Sequence, residues 1–132
     1  MSPLDLALAF VARINAHDVA GLAALMSPDH HFVDSLGGVV IGRDTMTKGW
    51  TAYFQMVPDY HIEVGQSFAE GPRVVLLGSA RGTYTRDGSL NPSNEWQTPA
   101  AWRASVLNNL IAEWQVYADN EPIRQRMARA SA

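Results

Sequence analysis

The hydrophobic pattern of the first third of the chain predicts two amphipathic helices. In the first helix, apolar residues recur every four positions at Leu6, Phe10 and Ile14, after a serine-proline start that suits a capped helix. A shorter helix follows Asp18, whose carboxylate suits the capping position, and it ends at the Ser-Pro-Asp turn of residues 27–29.

A hairpin and a third helix come next. Residues 31–36 and 39–41 are predicted as short apolar strands, separated by two glycines that suit a tight turn. After Gly42, the apolar residues of segment 46–57 fall at helical spacing, and Pro58 ends this third helix.

The second half of the chain is rich in strands. Its apolar segments predict four of them, at residues 60–68, 73–85, 96–107 and 110–118. The last two form a long hairpin around Asn108 and Asn109, because asparagine tolerates the positive φ of a tight turn. The polar tail, from about 120 to 132, predicts either a fraying helix or a disordered segment.

This order of elements predicts one α+β domain that spans residues 1–132. Three helices, all in the N-terminal half, cover one face of a cone-shaped, strongly curved sheet that is antiparallel or mixed. Strands of this length must bend in so small a domain, and Gly78 and Gly82 are the positions where the fourth strand can do so. A bent sheet closed by helices leaves a central cavity of the kind that binds small molecules.

Composition and charge narrow the possible functions. A net charge of −3 without a Lys/Arg cluster argues against nucleic-acid binding, and the lack of cysteine excludes disulfides, thiolate catalysis and cysteine zinc sites. No segment approaches the roughly 18 apolar residues of a membrane span, and the N-terminus lacks the basic start and cleavage site of a signal peptide. We expect a cytoplasmic protein that binds neither nucleic acid nor membranes.

Three stretches of the chain resemble the SnoaL-like proteins of the nuclear-transport-factor-2-like superfamily. They are residues 15–43 (NAHDVAGLAALMSPDHHFVDSLGGVVIGR), the helix at 50–59 that closes on Pro-Asp, and the final hairpin that ends in VYAD. The likeness covers nearly the whole chain. It specifies the fold better than the chemistry, because the superfamily contains isomerases, cyclases, epoxide hydrolases, dehydratases and non-catalytic binding modules.

The resemblance implies two candidate catalytic aspartates. Polyketide cyclases of the SnoaL-like group use an aspartate at the end of the last strand as acid and base, and Asp119 matches that position. Ketosteroid isomerases use an aspartate in the first hairpin, just before a glycine-containing turn, as the base, and Asp34 matches it. The resemblance also implies that no cofactor is used and that the outer face of the sheet forms a homodimer.

Other enzyme patterns of the superfamily are incomplete in this chain. The isomerases also need a tyrosine on the first helix and a second acid on the penultimate strand, and this sequence has neither. Limonene-type epoxide hydrolases place an arginine and an aspartate two positions apart on the fourth strand, whereas here Arg81 is followed at that distance by Thr83. Neither reaction is expected in its standard form.

The local sequence leaves a structural explanation open for both aspartates. Asp119 lies between the last strand and Pro122, so it either lines the cavity or caps the turn. Asp34 lies in an otherwise apolar strand, where a carboxylate is costly unless a function or a local hydrogen bond accounts for it. A carboxylate held away from bulk water would suit general acid–base chemistry.

Seven further residues are candidates for contact with a ligand: Trp50, Tyr53, Val57, Trp96, Trp102, Tyr117 and Arg81. The aromatic ones either line the cavity or belong to an ordinary core. The arginine is a solvated strand residue, an ion-pair partner or an anion contact. The histidines at positions 30, 31 and 61 lack the spacing of metal ligands, so we expect neither a metal nor a cofactor.

Two functions remain open on the sequence alone. In the first, the protein binds a small hydrophobic or aromatic molecule and acts on it as a cofactor-independent acid–base enzyme of the cyclase, isomerase or hydrolase type. In the second, it is a non-catalytic module that binds a ligand or dimerises. An open, mainly apolar cavity lined by the aspartates would favour the enzyme, whereas a cavity filled by aromatic side chains would favour the module.

Overall fold

The computed structural model of the chain describes residues 1–131, with side chains through Arg129. It contains four α-helices: α1 (Pro3–Asn15), α2 (Val19–Leu25), α3 (Arg43–Met56) and α4 (Glu121–Ser131). The polar tail therefore forms a helix, the first of the two predicted alternatives, and its last residue, Ala132, lies outside the described residues. No described helix is both long and apolar enough to cross a membrane.

The six strands form a single mixed sheet. They are β1 (Met26–Val33), β2 (Val39–Ile41), β3 (His61–Glu70), β4 (Arg73–Thr83), β5 (Glu95–Leu107) and β6 (Leu110–Ala118). The order across the sheet is β2-β1-β6-β5-β4-β3, and β1 and β6 are parallel whereas the other neighbours are antiparallel. The sheet is curled but not closed. Together with the four helices it confirms the predicted α+β architecture.

Local capping sets the start of the first two helices. Ser2 and Asp5 form a capping box, in which the backbone N–H of Asp5 donates to the Ser2 hydroxyl at 3.0 Å and the Asp5 carboxylate accepts from the Ser2 N–H at 3.3 Å. Asp18 caps α2 through the backbone N–H of Gly21 at 2.9 Å. Both helix starts agree with the pattern in the sequence.

The first strand begins earlier than the hydrophobic pattern predicts. β1 starts at Met26, five residues before the predicted start at His31, because Met26 pairs in parallel with Ile111 of β6. The strand ends at Val33, and the residues that follow form the turn to β2. The prediction of a strand over 31–36 is therefore wrong at both ends, since a distant partner strand decides where the pairing begins.

β3 and β4 lose their regular register at one point, and an irregularity of this kind bends a strand. Gly65 is the extra residue of a bulge between Val64 and Gln66, and Gly78 faces this bulge. A Cβ atom at Gly78 would overlap the carbonyl oxygen of Glu63, so the two strands approach too closely for any side chain there.

The hydrophobic core lies between the concave face of the sheet and the helices. Phe10 of α1 packs on Trp114 of β6 with ring centroids 4.6 Å apart. At the end of α1, the side chain of Asn15 forms two hydrogen bonds with the backbone of Ile62, both 2.9 Å, and these attach the helix to β3. Helix α3 covers the other end of the concave face, where a space remains.

Candidate functional site

A cavity of about 360 Å³ lies between helix α3 and the concave face of the sheet. Small residues such as Ala80, Ala100 and Gly49 leave the space open. All four tryptophans of the chain line it: Trp50, Trp96, Trp102 and Trp114. A mainly apolar cavity of this size is typical of small-molecule sites.

Aromatic rings form a continuous wall from α3 to β5. Trp50 meets Tyr53 edge to face with ring centroids 6.4 Å apart. Tyr53 meets Tyr60 in the same way at 4.9 Å, and Tyr60 lies 6.1 Å from Trp96. Such edge-to-face contacts hold the rings in defined positions, so the wall presents a preformed shape to a ligand.

The two tyrosines of this wall are protonated at physiological pH. Burial raises the pKa of Tyr53 above its ordinary value, because the phenolate would be deprived of water. Burial is also the main cause of the raised pKa of Tyr60, and the nearby Tyr53 phenol adds to it. Both phenols therefore keep their hydrogen and are potential donors to a ligand.

Asp34 lines the cavity from the turn between β1 and β2, and it is half-buried. Its Oδ1 accepts hydrogen bonds from the backbone N–H groups of Leu36 and Gly38, each at 2.9 Å. These bonds form an Asx turn that fixes the side chain. Among the described residues no donor is placed on Oδ2.

Two neutral polar residues complete this edge of the cavity. Asn120 donates a short hydrogen bond from its side-chain amide to the hydroxyl of Ser35, and both residues line the cavity. The bond joins the β1–β2 turn to the segment that leads into α4. The polar groups Asp34, Ser35 and Asn120 are thus gathered at one edge of an otherwise aromatic space.

Asp119 does not line the cavity, so the prediction of its placement is wrong. Its side chain is exposed, and Oδ1 accepts a hydrogen bond from the backbone N–H of Glu121 at 2.9 Å, at the start of α4. Strand alternation is the reason: Val116 and Ala118 face the cavity, so Asp119 points the other way and Asn120 returns to the cavity. The capping explanation is the one that the structure supports.

Four of the seven predicted ligand contacts lie in the cavity wall: Trp50, Tyr53, Trp96 and Trp102. The other three do not line the cavity. Tyr117 is exposed on the outer face of the sheet, and Val57 is fully buried beside Gly82. Arg81 is also on the outer face, where its guanidinium lies 4.0 Å from the Glu63 carboxylate, so the ion-pair alternative describes it.

Sequence reasoning missed several residues that line the cavity: Tyr60, Thr98, Trp114, Ser35 and Asn120. Strand alternation would have found three of them. Thr98 lies between Trp96 and Ala100 on the inward face of β5, and Trp114 and Asn120 share the inward face of β6 and its extension. Ser35 and Tyr60 lie in turns, where no periodic pattern indicates the facing of a side chain.

The histidines near the first hairpin have structural contacts. His30 is buried, and its ring nitrogen Nδ1 lies 2.7 Å from the carbonyl oxygen of Ile111. Burial lowers the pKa of His30, so the imidazole is neutral at pH 7. The ring of His31 contacts the backbone of Asp29 at 2.8 Å. Within residues 1–131, no three His, Cys, Asp or Glu side chains are grouped as metal ligands.

Solved structures share this fold over almost their whole length. A protein that carries the name of a SnoaL-like polyketide cyclase, from Shewanella denitrificans OS-217, is 17% identical, with a TM-score of 0.81 over 96% of this chain and 97% of its own. A protein with a ketosteroid isomerase-like fold from Catenulispora acidiphila DSM 44928, in complex with trimethylamine, is 17% identical, with a TM-score of 0.80 over 97% and 95%. IdmH from Streptomyces antibioticus, also named for a polyketide cyclase, is 19% identical, with a TM-score of 0.79 over 97% and 99%.

These identities are low, so the likeness shows a nuclear-transport-factor-2-like fold and not a shared chemistry. No protein with a curated description matches the chain. The sequence model of the SnoaL-like domain, however, matches residues 7–124, which is most of the chain. The protein therefore belongs to the SnoaL-like domain family.

Proposed function

We propose that the protein binds a small hydrophobic or aromatic molecule in this cavity and that Asp34 transfers a proton to or from it without a cofactor. One observation carries the proposal. The Asp34 carboxylate lies in the wall of an aromatic cavity with one oxygen held by two backbone N–H groups and no donor on the other among the described residues. Such a carboxylate is positioned to act as a base.

The proposed step is the movement of a proton at a carbon atom next to a carbonyl group. Oδ2 of Asp34 takes the proton, and the C–H electron pair moves into the enolate. The phenols of Tyr53 and Tyr60 are protonated donors in the same cavity and suit the developing charge on the enolate oxygen. In an isomerase-type reaction the protonated Asp34 then returns the proton to another carbon of the enolate. In a cyclase-type reaction the enolate carbon attacks a second carbonyl group of the same molecule, and Asp34 gives the proton to the oxygen of that group.

The names of two solved relatives support this class of reaction. The protein from Shewanella denitrificans OS-217 and IdmH from Streptomyces antibioticus are both named for polyketide cyclases. Loss of a proton next to a carbonyl begins the cyclisation of a carbonyl-rich chain, and this is the step assigned to Asp34; the base that the resemblance implies for the cyclases, Asp119, lies outside the cavity.

Exchange of hydrogen for deuterium in 2-tetralone tests the proposal without knowledge of the natural substrate. In D₂O, we expect deuterium to enter the position beside the carbonyl faster with the wild-type protein than in buffer alone. NMR measures the rate of incorporation. Asp34→Asn should lower the protein-dependent rate by on the order of 10²–10⁴, because an amide cannot take the proton. The amide oxygen still accepts the bonds from Leu36 and Gly38, so the melting temperature should stay close to that of wild type.

Asp119→Asn is the matched control, because it removes a carboxylate that lies outside the cavity and an asparagine oxygen can accept the same bond from the Glu121 N–H. Its exchange rate should equal that of wild type. An Asp34→Asn protein with the wild-type rate would remove Asp34 from the mechanism. If wild-type protein binds 2-tetralone, seen as a raised melting temperature, but does not speed exchange, the non-catalytic binding module is the better description.

A homodimer through the outer face of the sheet is part of the same proposal. Leu77 of β4, Ala101 of β5 and Tyr117 of β6 lie side by side in register on this face. Leu77 and Tyr117 are 36% and 48% exposed in the single chain, so an apolar row is open to a second copy.

A cytoplasmic location remains a prediction.

A further inference from the structure

Charge is distributed unevenly around the cavity. Of the described residues that line it, Asp34 alone carries a formal charge. The arginines of neighbouring strands lie away from it. The Arg81 guanidinium lies 4.0 Å from the Glu63 carboxylate. Arg103 is half-exposed, and it pairs with Glu113 at 2.7 Å. No positive side chain in the described part of the wall offsets the charge of Asp34.

Buried groups behind the wall do not supply a positive charge either. His30 packs against Phe10, with ring centroids 6.2 Å apart, and Phe10 in turn contacts Trp114 of the cavity wall. Because burial lowers the pKa of His30, its ring is uncharged at neutral pH. Among the described residues, Asp34 is therefore the one formal charge at the cavity.

We propose that the cavity selects its ligand by charge: it takes planar aromatic molecules whose polar end is an ammonium group, accepts their neutral counterparts more weakly, and rejects their carboxylates. The proposal rests on the proposed function, because it assumes that the cavity is the binding site. It adds the chemical class of the ligand.

Coulomb repulsion is the first reason. A carboxylate that enters the space beside Asp34 places two negative charges near each other in a cavity from which most water has been displaced. An ammonium group at the same point has an unpaired carboxylate oxygen as its partner. Since Asp34 is half-buried at the edge of the cavity, the cation is paired there without complete loss of its water.

The aromatic wall is the second reason. The faces of tryptophan and tyrosine rings attract cations and not anions, and four tryptophans and two tyrosines line this cavity. The indole N–H groups would favour an anion if they opened into the space. However, the indole nitrogens of Trp50, Trp96 and Trp114 are covered by protein, so among the four indoles only the N–H of Trp102 could face a ligand.

This selection is compatible with a base at Asp34 when the ammonium group draws the molecule to the cavity edge and the C–H bond, not the ammonium group, lies on Oδ2 during proton transfer. The carboxylate must be ionised to take a proton, and an ionised Asp34 repels an anion that arrives at the cavity. After proton transfer Asp34 is neutral and the negative charge is on the bound molecule. The selection by charge therefore acts on the entering molecule and does not oppose the enolate.

Three probes of nearly the same shape test the proposal: 2-naphthylmethylamine, 2-naphthylmethanol and 2-naphthoic acid. At pH 7 they present an ammonium, a hydroxyl and a carboxylate on the same ring system. Isothermal titration calorimetry should give the affinity order amine, alcohol, acid. We expect the amine and the acid to differ by roughly ten- to a hundredfold, a spread limited by solvent screening at the partly open edge.

Asp34→Asn should reduce the ratio of amine affinity to acid affinity toward one, because the shape is kept and the charge is removed. Asp119→Asn should leave the ratio at its wild-type value, since that carboxylate is exposed and lies outside the cavity. The wild-type ratio should also fall as salt is raised from 20 mM to 500 mM, a readout that does not depend on how well a variant folds.

Equal wild-type affinities for the three probes, or tightest binding of the acid, would overturn the selection by charge and leave the proposed function standing. An Asp34→Asn protein that keeps the wild-type ratio would assign the selection to another group and overturn the inference as well. If no probe binds and 2-tetralone does not raise the melting temperature, the cavity is not the binding site, and the proposed function falls together with the inference.

Discussion

Asp34 and Asp119 occupy similar places in the chain, each just after a strand and before a turn, but their carboxylates have different surroundings. Asp34 turns inward because the backbone of the β1–β2 turn folds over it and holds its Oδ1 with two hydrogen bonds of 2.9 Å. Asp119 turns outward because its neighbour Ala118 occupies the inward position of β6. The first is a candidate base, and the second closes the turn before α4.

A second feature at this scale is the close approach of β3 and β4 at Gly78. We expect Gly78→Ala to lower the free energy of unfolding by about 1–3 kcal/mol, because the added methyl group would overlap the carbonyl oxygen of Glu63 and force the backbone apart. Urea denaturation measures the loss.

Gly65→Ala on the opposite strand of the same bulge is the matched control. The nearest atom to a methyl group there is the carbonyl oxygen of Leu77 at 3.7 Å, an ordinary contact. Its free energy of unfolding should stay within about 0.5 kcal/mol of wild type. Equal losses in the two variants would show that strand geometry, and not the close approach, sets the requirement for glycine.

The residues of the site could be predicted only in part. The aromatic positions Trp96 and Trp102 follow from strand alternation, and the same rule applied past the end of β6 would have chosen Asn120 over Asp119. Asp34 was identified by resemblance, whereas its Asx turn depends on backbone geometry that the sequence pattern does not contain. The place of Tyr60 in the cavity wall depends on the path of the chain after α3.

At the scale of elements, helix α4 fastens the C-terminal segment to the loop before β5. Ile123 is buried at 9% exposure against the core, and Met127 packs beside it. Arg126 donates to the carbonyl oxygen of Glu95 at 2.8 Å, and Arg129 donates to that of Ser93 at 2.6 Å. The helix therefore holds this loop from one side, while its preceding residue Asn120 holds the β1–β2 turn.

Ile123→Ala tests the contribution of this helix. We expect the variant to lose about 2 kcal/mol or more of unfolding free energy, because a buried isoleucine side chain is removed from a packed site. Gln125→Ala is the control, because Gln125 is exposed on the same helix and is also replaced by alanine, a strong helix former. Chemical denaturation of both proteins measures the difference, and similar stabilities would mean that α4 packs only loosely on the core.

The local sequence pattern predicted which helices and strands form better than it predicted where they begin and end. The capped start of α1, the Asn108-Asn109 turn and the exact span of β6 agree with the sequence, because each depends on neighbouring residues. The early start of β1 depends on a parallel partner more than eighty positions away, and the choice of helix for the tail depends on the burial of Ile123. Such contacts are not visible in a local pattern.

At the scale of the whole molecule, the two faces of the sheet differ in what covers them. The concave face is covered by helices and encloses the cavity. The outer face is open in the single chain and carries the apolar row formed by Leu77, Ala101 and Tyr117. Obligate contacts between subunits are usually of this apolar kind.

Sedimentation equilibrium tests the proposed homodimer. We expect wild type to sediment at twice the chain mass of 14.5 kDa and Leu77→Lys to sediment as a monomer, because a buried lysine would face an apolar partner surface. Leu90→Lys is the control, since Leu90 is 50% exposed in the loop before β5 and lies off the sheet. A wild-type monomer, or a Leu77→Lys protein that remains a dimer, would contradict the proposed interface.

The position of the tryptophans has one more consequence. All four indoles of the chain line the same cavity, and none lies elsewhere. The tryptophan fluorescence of the folded protein therefore originates from that one space, without emission from indoles on the surface. Any molecule that enters changes the surroundings of several indoles together, so occupancy can be followed optically on the unlabelled chain.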